Sequence, residues 1–192
     1  VSGRFLGAWL TLAVATASVP AGAATLVLGE HERQEALRVG QRSITSETFG
    51  DEWRVVVDGS GESVTVITPF HRLALASRNA AFKNEPLKLQ DQERMLRELK
   101  ERLVFWVELQ GSREDFARHL SPRLLAGERE IEPALVQNER TAMRRDDGRY
   151  LARCVYSFPT KDLNPRARLV LVVRDPGGQP VARFPIDLGR MR

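Results

Sequence analysis

The stretch that most constrains the fold runs from Phe158 to Leu188, FPTKDLNPRARLVLVVRDPGGQPVARFPIDL. Ala167, Leu169, Leu171 and Val173 fall on one side of a period-two pattern, with Arg168, Val170, Val172 and Arg174 on the other. Such alternation belongs to a strand, whose successive side chains point to opposite faces. Asp175-Pro176-Gly177-Gly178 supplies a turn, with proline setting φ and glycine open to positive φ. The chain returns with Ala182, Phe184, Ile186 and Leu188 on one face, against Val181, Arg183 and Asp187. Pro185 has no N–H to give to a ladder, which puts the returning strand at a sheet edge. Strand and turn chemistry account for each conspicuous residue here, so the stretch reads as scaffold.

A second hairpin is written into EWRVVVDGSGESVTVITP. Trp53, Val55 and Val57 alternate with Arg54 and Val56, and Val64 and Val66 alternate with Ser63, Thr65 and Ile67, around the turn Asp58-Gly59-Ser60-Gly61. The period then changes. Thr68-Pro69 is an N-cap followed by proline at the first helical position, and Phe70, Leu73, Ala74, Ser77 and Ala81 share one helical face. A further helix opens at Asp91 with Leu96, Leu99 and Leu103 inward and the pairs Glu93/Arg97 and Glu98/Arg102 outward. From about Val104, RLVFWVEL predicts a buried strand; REDFARHL predicts a short helix capped by Ser112 and closed by Pro122. Leu124-Leu125, Gly127 and Ile131–Val136 predict a hairpin, and Asp147-Gly148 a turn into the strand YLARCVYSF. Between residues 24 and 50 the pattern is weak, with a short strand expected near Ala36–Val39.

These elements predict a mainly β chain with a helical insertion at about 69–103, an immunoglobulin-like β-sandwich. The alternative is an α+β antiparallel sheet with helices on one face. The pieces YSFP, DLNPRARLVLVVRDPGG and FPIDL, over the C-terminal fifth, resemble the ending of uncharacterised exported bacterial proteins with β-sandwich folds. The resemblance implies export and a sandwich; it carries no activity and no site residues.

The N-terminus reads as a secretory signal. Arg4 is a short positive region, Phe5–Val19 an apolar run, and Ala21-Gly22-Ala23 a cleavage site of small residues. The run is short of the roughly 20 residues a spanning helix needs. Cleavage after Ala23 is expected, giving a signal peptide over 1–23, an N-terminal extension over 24–50 and one domain over 51–192. Position 24 is Ala, so no lipid anchor is expected, and no membrane span remains after cleavage. The retained-anchor reading is the alternative. One cysteine allows no intramolecular disulfide.

Charge narrows the partners. Lys and Arg total 29 against 25 Asp and Glu, interspersed, for a net charge of +4, which gives no stripe of the kind nucleic-acid backbones require. Nucleic acid is therefore not an expected partner.

No constellation for catalysis emerges. GEHERQEAL invites a zincin reading, but Glu35 stands where the second histidine of H-E-x-x-H belongs, and no helix is expected there. His31, His71 and His119 lack ligand spacing and are expected to be exposed or half-buried. Cys154 shares a face with Tyr150, Ala152, Tyr156 and Phe158 and reads as a small buried hydrophobe. DGSGES joins two strands with no helix to hold phosphate. Glu114-Asp115 and Asp146-Asp147 sit at turns or a helix start, where acids are expected. Trp53 and Trp106 lie in apolar runs, so core packing is expected over carbohydrate stacking. Thus no catalytic, cofactor-binding or metal-binding residue and no cofactor is expected. By exclusion the sequence suggests a non-catalytic exported cell-envelope protein, acting as a protein-interaction module. An exported hydrolase or small-ligand binder, its site assembled from distant residues, is the alternative.

Overall fold

The computed structural model describes residue 24 and residues 26–57, 59–161 and 163–192. The segment read as a signal peptide lies outside these residues. The chain is mainly antiparallel β sheet with a few helices. Helix α1 (Glu30–Arg42) comes first, then a 3-10 turn over Asp51–Trp53. Strands β1 (Arg54–Val56) and β2 (Ser63–Ile67) form the expected hairpin. Helices α2 (Pro69–Phe82) and α3 (Leu89–Glu98) follow. The remaining strands are β3 (Arg102–Gly111), β4 (Ser121–Ala126), β5 (Arg129–Ile131), β6 (Leu135–Gln137), β7 (Met143–Arg144), β8 (Tyr150–Pro159), β9 (Arg168–Arg174) and β10 (Pro180–Asp187).

These strands form two sheets. The larger has the order β1-β2-β3-β8-β6, with β7 also on β8, and the smaller has the order β10-β9-β4-β5. Register aligns their apolar sets. In the larger sheet Val64, Val107 and Cys154 form one row, and Val66, Phe105 and Tyr156 the next. In the smaller, Phe184, Leu171 and Leu124 form a row beside Ile186 and Leu169. All of these residues belong to one buried cluster, so the two inner faces share a core. β10 is an edge strand, where the missing N–H of Pro185 does no harm to a central ladder. Pro133 lies where the chain leaves β5 in the smaller sheet and enters β6 in the larger.

Helix α2 starts as its sequence requires: the Thr68 hydroxyl accepts from the His71 N–H at 3.0 Å, and Pro69 takes the first turn. Phe70, Leu73, Ala74 and Ser77 are buried. Helix α1 lies tightly on α2. A Cβ at Gly40 would stand 2.2 Å from the Ala74 carbonyl oxygen and 2.7 Å from Ser77 Cβ, so only hydrogen fits. The Ser77 hydroxyl donates to the Leu37 carbonyl, and Arg78 donates to Ser46 and lies over the Phe49 ring. Ala24, Leu28 and Ala36 belong to the same core as the sheets.

Several local expectations are corrected. Residues 36–39 are helical, part of α1, whose buried residues are the small Ala36 and Gly40. Trp53 belongs to a 3-10 turn ahead of β1. Helix α3 ends at Glu98, so Leu103 points inward from β3. REDFARHL forms successive three-residue turns, with Phe116, Arg118 and Leu120 donating to Arg113, Asp115 and Ala117, and Pro122 lies in β4. The hairpin after Gly127 closes at Ile131, since Pro133 cannot extend the ladder. His71 is buried, contrary to expectation, and Trp106 is 40% exposed.

Candidate functional site

The outward-facing members of the β3 alternation define the site. Leu103, Phe105, Val107 and Leu109 enter the core, which leaves Val104, Trp106 and Glu108 on the outer face of the larger sheet. Register then brings distant residues alongside. Trp106 lies between Thr65 of β2 and Val155 of β8, with Arg54 beyond Thr65 and Gln137 beyond Val155. One row further on, Ser63, Glu108 and Arg153 are neighbours.

Glu108 collects the polar contacts. Its carboxylate receives Arg54 at 3.4 Å, the Ser63 hydroxyl at 3.3 Å and Arg153 at 3.5 Å. Arg54 also donates to the Ser63 hydroxyl at 3.1 Å. Two guanidiniums on one carboxylate leave one positive charge. Beside this ladder, Trp106, Thr65 and Val155 line a shallow hollow of about 440 Å³. That volume is within the range of small-molecule sites, roughly 300–1,000 Å³. Toward the helices the same face is covered, since Ile67 and Ser157 are buried.

The arrangement suits binding. The exposed indole offers a broad apolar surface, and the ion ladder offers donors of fixed position. Cys154 shares strand β8 but points to the core, where burial pushes its thiol up. Burial likewise pushes up the neighbouring Tyr156 hydroxyl, which donates to Asn138 at 2.9 Å; Asn138 in turn donates to the Leu120 carbonyl.

The structure keeps the weighed residues apart. His71 is stacked in a buried aromatic cluster with Trp53, Phe49 and Phe70 around it, while His31 and His119 are exposed. Glu35 does lie on a helix, α1, where it pairs with Arg38 at 3.1 Å. Among the described residues no cluster of three or more His, Cys, Asp or Glu side chains is placed to hold a metal ion. No described helix is long and apolar enough to cross a membrane. Sequence reasoning missed the Arg54–Glu108–Arg153 ladder, whose successive members are 54 and 45 positions apart in the chain. Its local trace is one charged residue at an outward-facing position of each strand: Arg54, Glu108 and Arg153.

Fold and face together define a mainly antiparallel β protein with a few helices and a surface hollow. The chain matches no protein-family model and no curated protein. It is similar to a crystal structure described as a novel protein of unknown function from Burkholderia pseudomallei K96243. The likeness covers 85% of this chain and 92% of that one, at 9% identity and a TM-score of 0.43.

Proposed function

We propose that this is a non-catalytic exported module of the cell envelope, which binds a protein partner through the outer face of the larger sheet. Trp106 carries the reading. A large indole left 40% exposed beside two arginines matches the residue types that concentrate binding energy at interface centres. In this reading the two sheets form an immunoglobulin-like sandwich, with α2 and α3 as its helical insertion. Export rests on the apolar run Phe5–Val19 and the small residues at 21–23. Ala24, which cleavage after Ala23 would make the first residue, donates its backbone N–H to the Leu188 carbonyl at 3.0 Å, in keeping with a fold that starts there.

A small-ligand binder is the second reading, favoured by the hollow beside Trp106. A hydrolase built on histidine gains nothing from it, because neither His71 nor His119 lines that hollow.

The test is in-cell crosslinking of the tagged full-length protein, pull-down and mass spectrometry, run beside Trp106→Ala. A stoichiometric partner that disappears with Trp106→Ala is the expected result. Equal recovery by the variant, or a defined turnover by the purified protein, overturns the proposal.

A further inference from the structure

A second groove, of about 430 Å³, lies between the segment Leu26–Leu28 and helix α3. Its apolar wall is made by Leu26, Leu28, Pro69 and Leu96. Of this wall, Leu26 and Leu96 are half-buried, while Leu28 and Pro69 are buried. The charges in the groove are equally informative. Arg33, Arg97 and Lys100 stand against Glu93 and Glu101, three cations to two carboxylates, which leaves one positive charge. Arg97 faces Glu93 at 3.8 Å, so the surplus rests with Arg33 and Lys100.

Arg33 is the exceptional group. Its Nε is sealed from solvent and has no hydrogen-bond partner. A guanidinium cannot lose its charge and presents donors in a planar fork that matches a carboxylate. Arg33 as a whole is half-buried and lines the groove, so an anion bound there would give its guanidinium an acceptor.

We propose that this groove binds a single-chain carboxylic acid. The carboxylate accepts from the Arg33 guanidinium, and the hydrocarbon chain lies along Leu26, Leu28, Pro69 and Leu96. One surplus positive charge suits a monoanion; a phosphate dianion would meet Glu93 and Glu101 as well. The site shares no residue with the Trp106 face, so either proposal can fail without the other.

Dodecanoate, titrated calorimetrically into the full chain below its micellar range, is the probe. Saturable one-to-one binding is expected, weakened about tenfold or more by Arg33→Leu, since the charge-assisted pair is lost. Dodecanol, with the chain and no charge, is expected to bind about tenfold or more weakly for the same reason. Arg33→Leu removes an unpaired donor and is expected to melt no lower than the parent. Leu96→Asp, on the half-buried wall, provides a second variant that also weakens binding. The exposed Arg168→Leu leaves it unchanged. Absence of saturable dodecanoate binding, equal binding by Arg33→Leu, or equal affinity for dodecanol overturns the assignment.

Discussion

The indole of Trp53 lies flat on the imidazole of His71, with ring centroids 4.3 Å apart and planes within 1° of parallel. Each ring is also tied by a hydrogen bond: Trp53 Nε1 donates to the Arg192 carbonyl at 2.7 Å, and His71 Nδ1 donates to the Val66 carbonyl at 3.0 Å. Burial above all, and then the Arg72 charge, hold the His71 pKa below the ordinary histidine value, against the raising effect of the Val66 carbonyl. The unfolded chain therefore takes up a proton, at about pH 6.5, that the native state refuses. Stability is full above that value and falls as pH drops from it toward the folded pKa, by up to about 1.4 kcal/mol per pH unit for one proton. Urea unfolding at pH 7.5 and 5.5 is expected to show this loss, and His71→Gln to remove most of it. An undiminished pH slope in the variant assigns the effect elsewhere.

Gly40 offers a test whose sign is informative. Helix propensity alone makes Gly→Ala stabilising by about 1 kcal/mol. A Cβ at position 40, however, would meet the Ala74 carbonyl oxygen, Ser77 Cβ and the Arg78 backbone nitrogen. Overpacking of this kind costs about 1–3 kcal/mol. Chemical denaturation of Gly40→Ala is expected to show a net loss, and a gain would mean that α1 and α2 separate readily.

The two described tryptophans separate packing from recognition. Trp53→Ala empties a fully buried site and is expected to cost about 3–5 kcal/mol. Trp106→Ala, on the solvent face, is expected to change stability by about 1 kcal/mol or less. In protein that begins at Ala24, and so lacks Trp9, acrylamide should accordingly quench Trp106 emission in Trp53→Phe far more than Trp53 emission in Trp106→Phe.

Cys154 is expected to resist thiol reagents in the native state and to react fully in denaturant. Its side chain is buried and burial pushes its thiol up, so little thiolate reaches the reagent. Labelling of the native protein at the rate of a free thiol would place Cys154 on a surface.

How much was legible follows from which forces leave a local mark. β9 and β10 were readable because Leu169, Leu171, Phe184 and Ile186 repeat at period two about a turn of proline and glycine. The start of α2 was readable from Thr68 and Pro69. α1 was not, because its inner face is built from Ala36 and Gly40, residues whose value lies in how close a neighbour can come. The site was least legible. RLVFWVEL hides an alternation inside an unbroken apolar run, and Trp106 meets Thr65, Arg54 and Arg153 only through strand register. Register is a property of pairs of strands, and neither strand contains it alone.

The bond from Ala24 to Leu188 has a topological consequence. It sets residue 24 within four positions of residue 192, whose carbonyl is itself held by Trp53 and Thr68. At 3.3–3.6 Å per residue, a linker of about five residues bridges the two. The domain is in this sense a closed ring of elements, and it can be reopened at the Gly127 or Gly148 turn while every strand keeps its neighbours. A circular permutant cut there would carry its new ends at a hairpin tip, away from the corner where Ala24 bonds to Leu188.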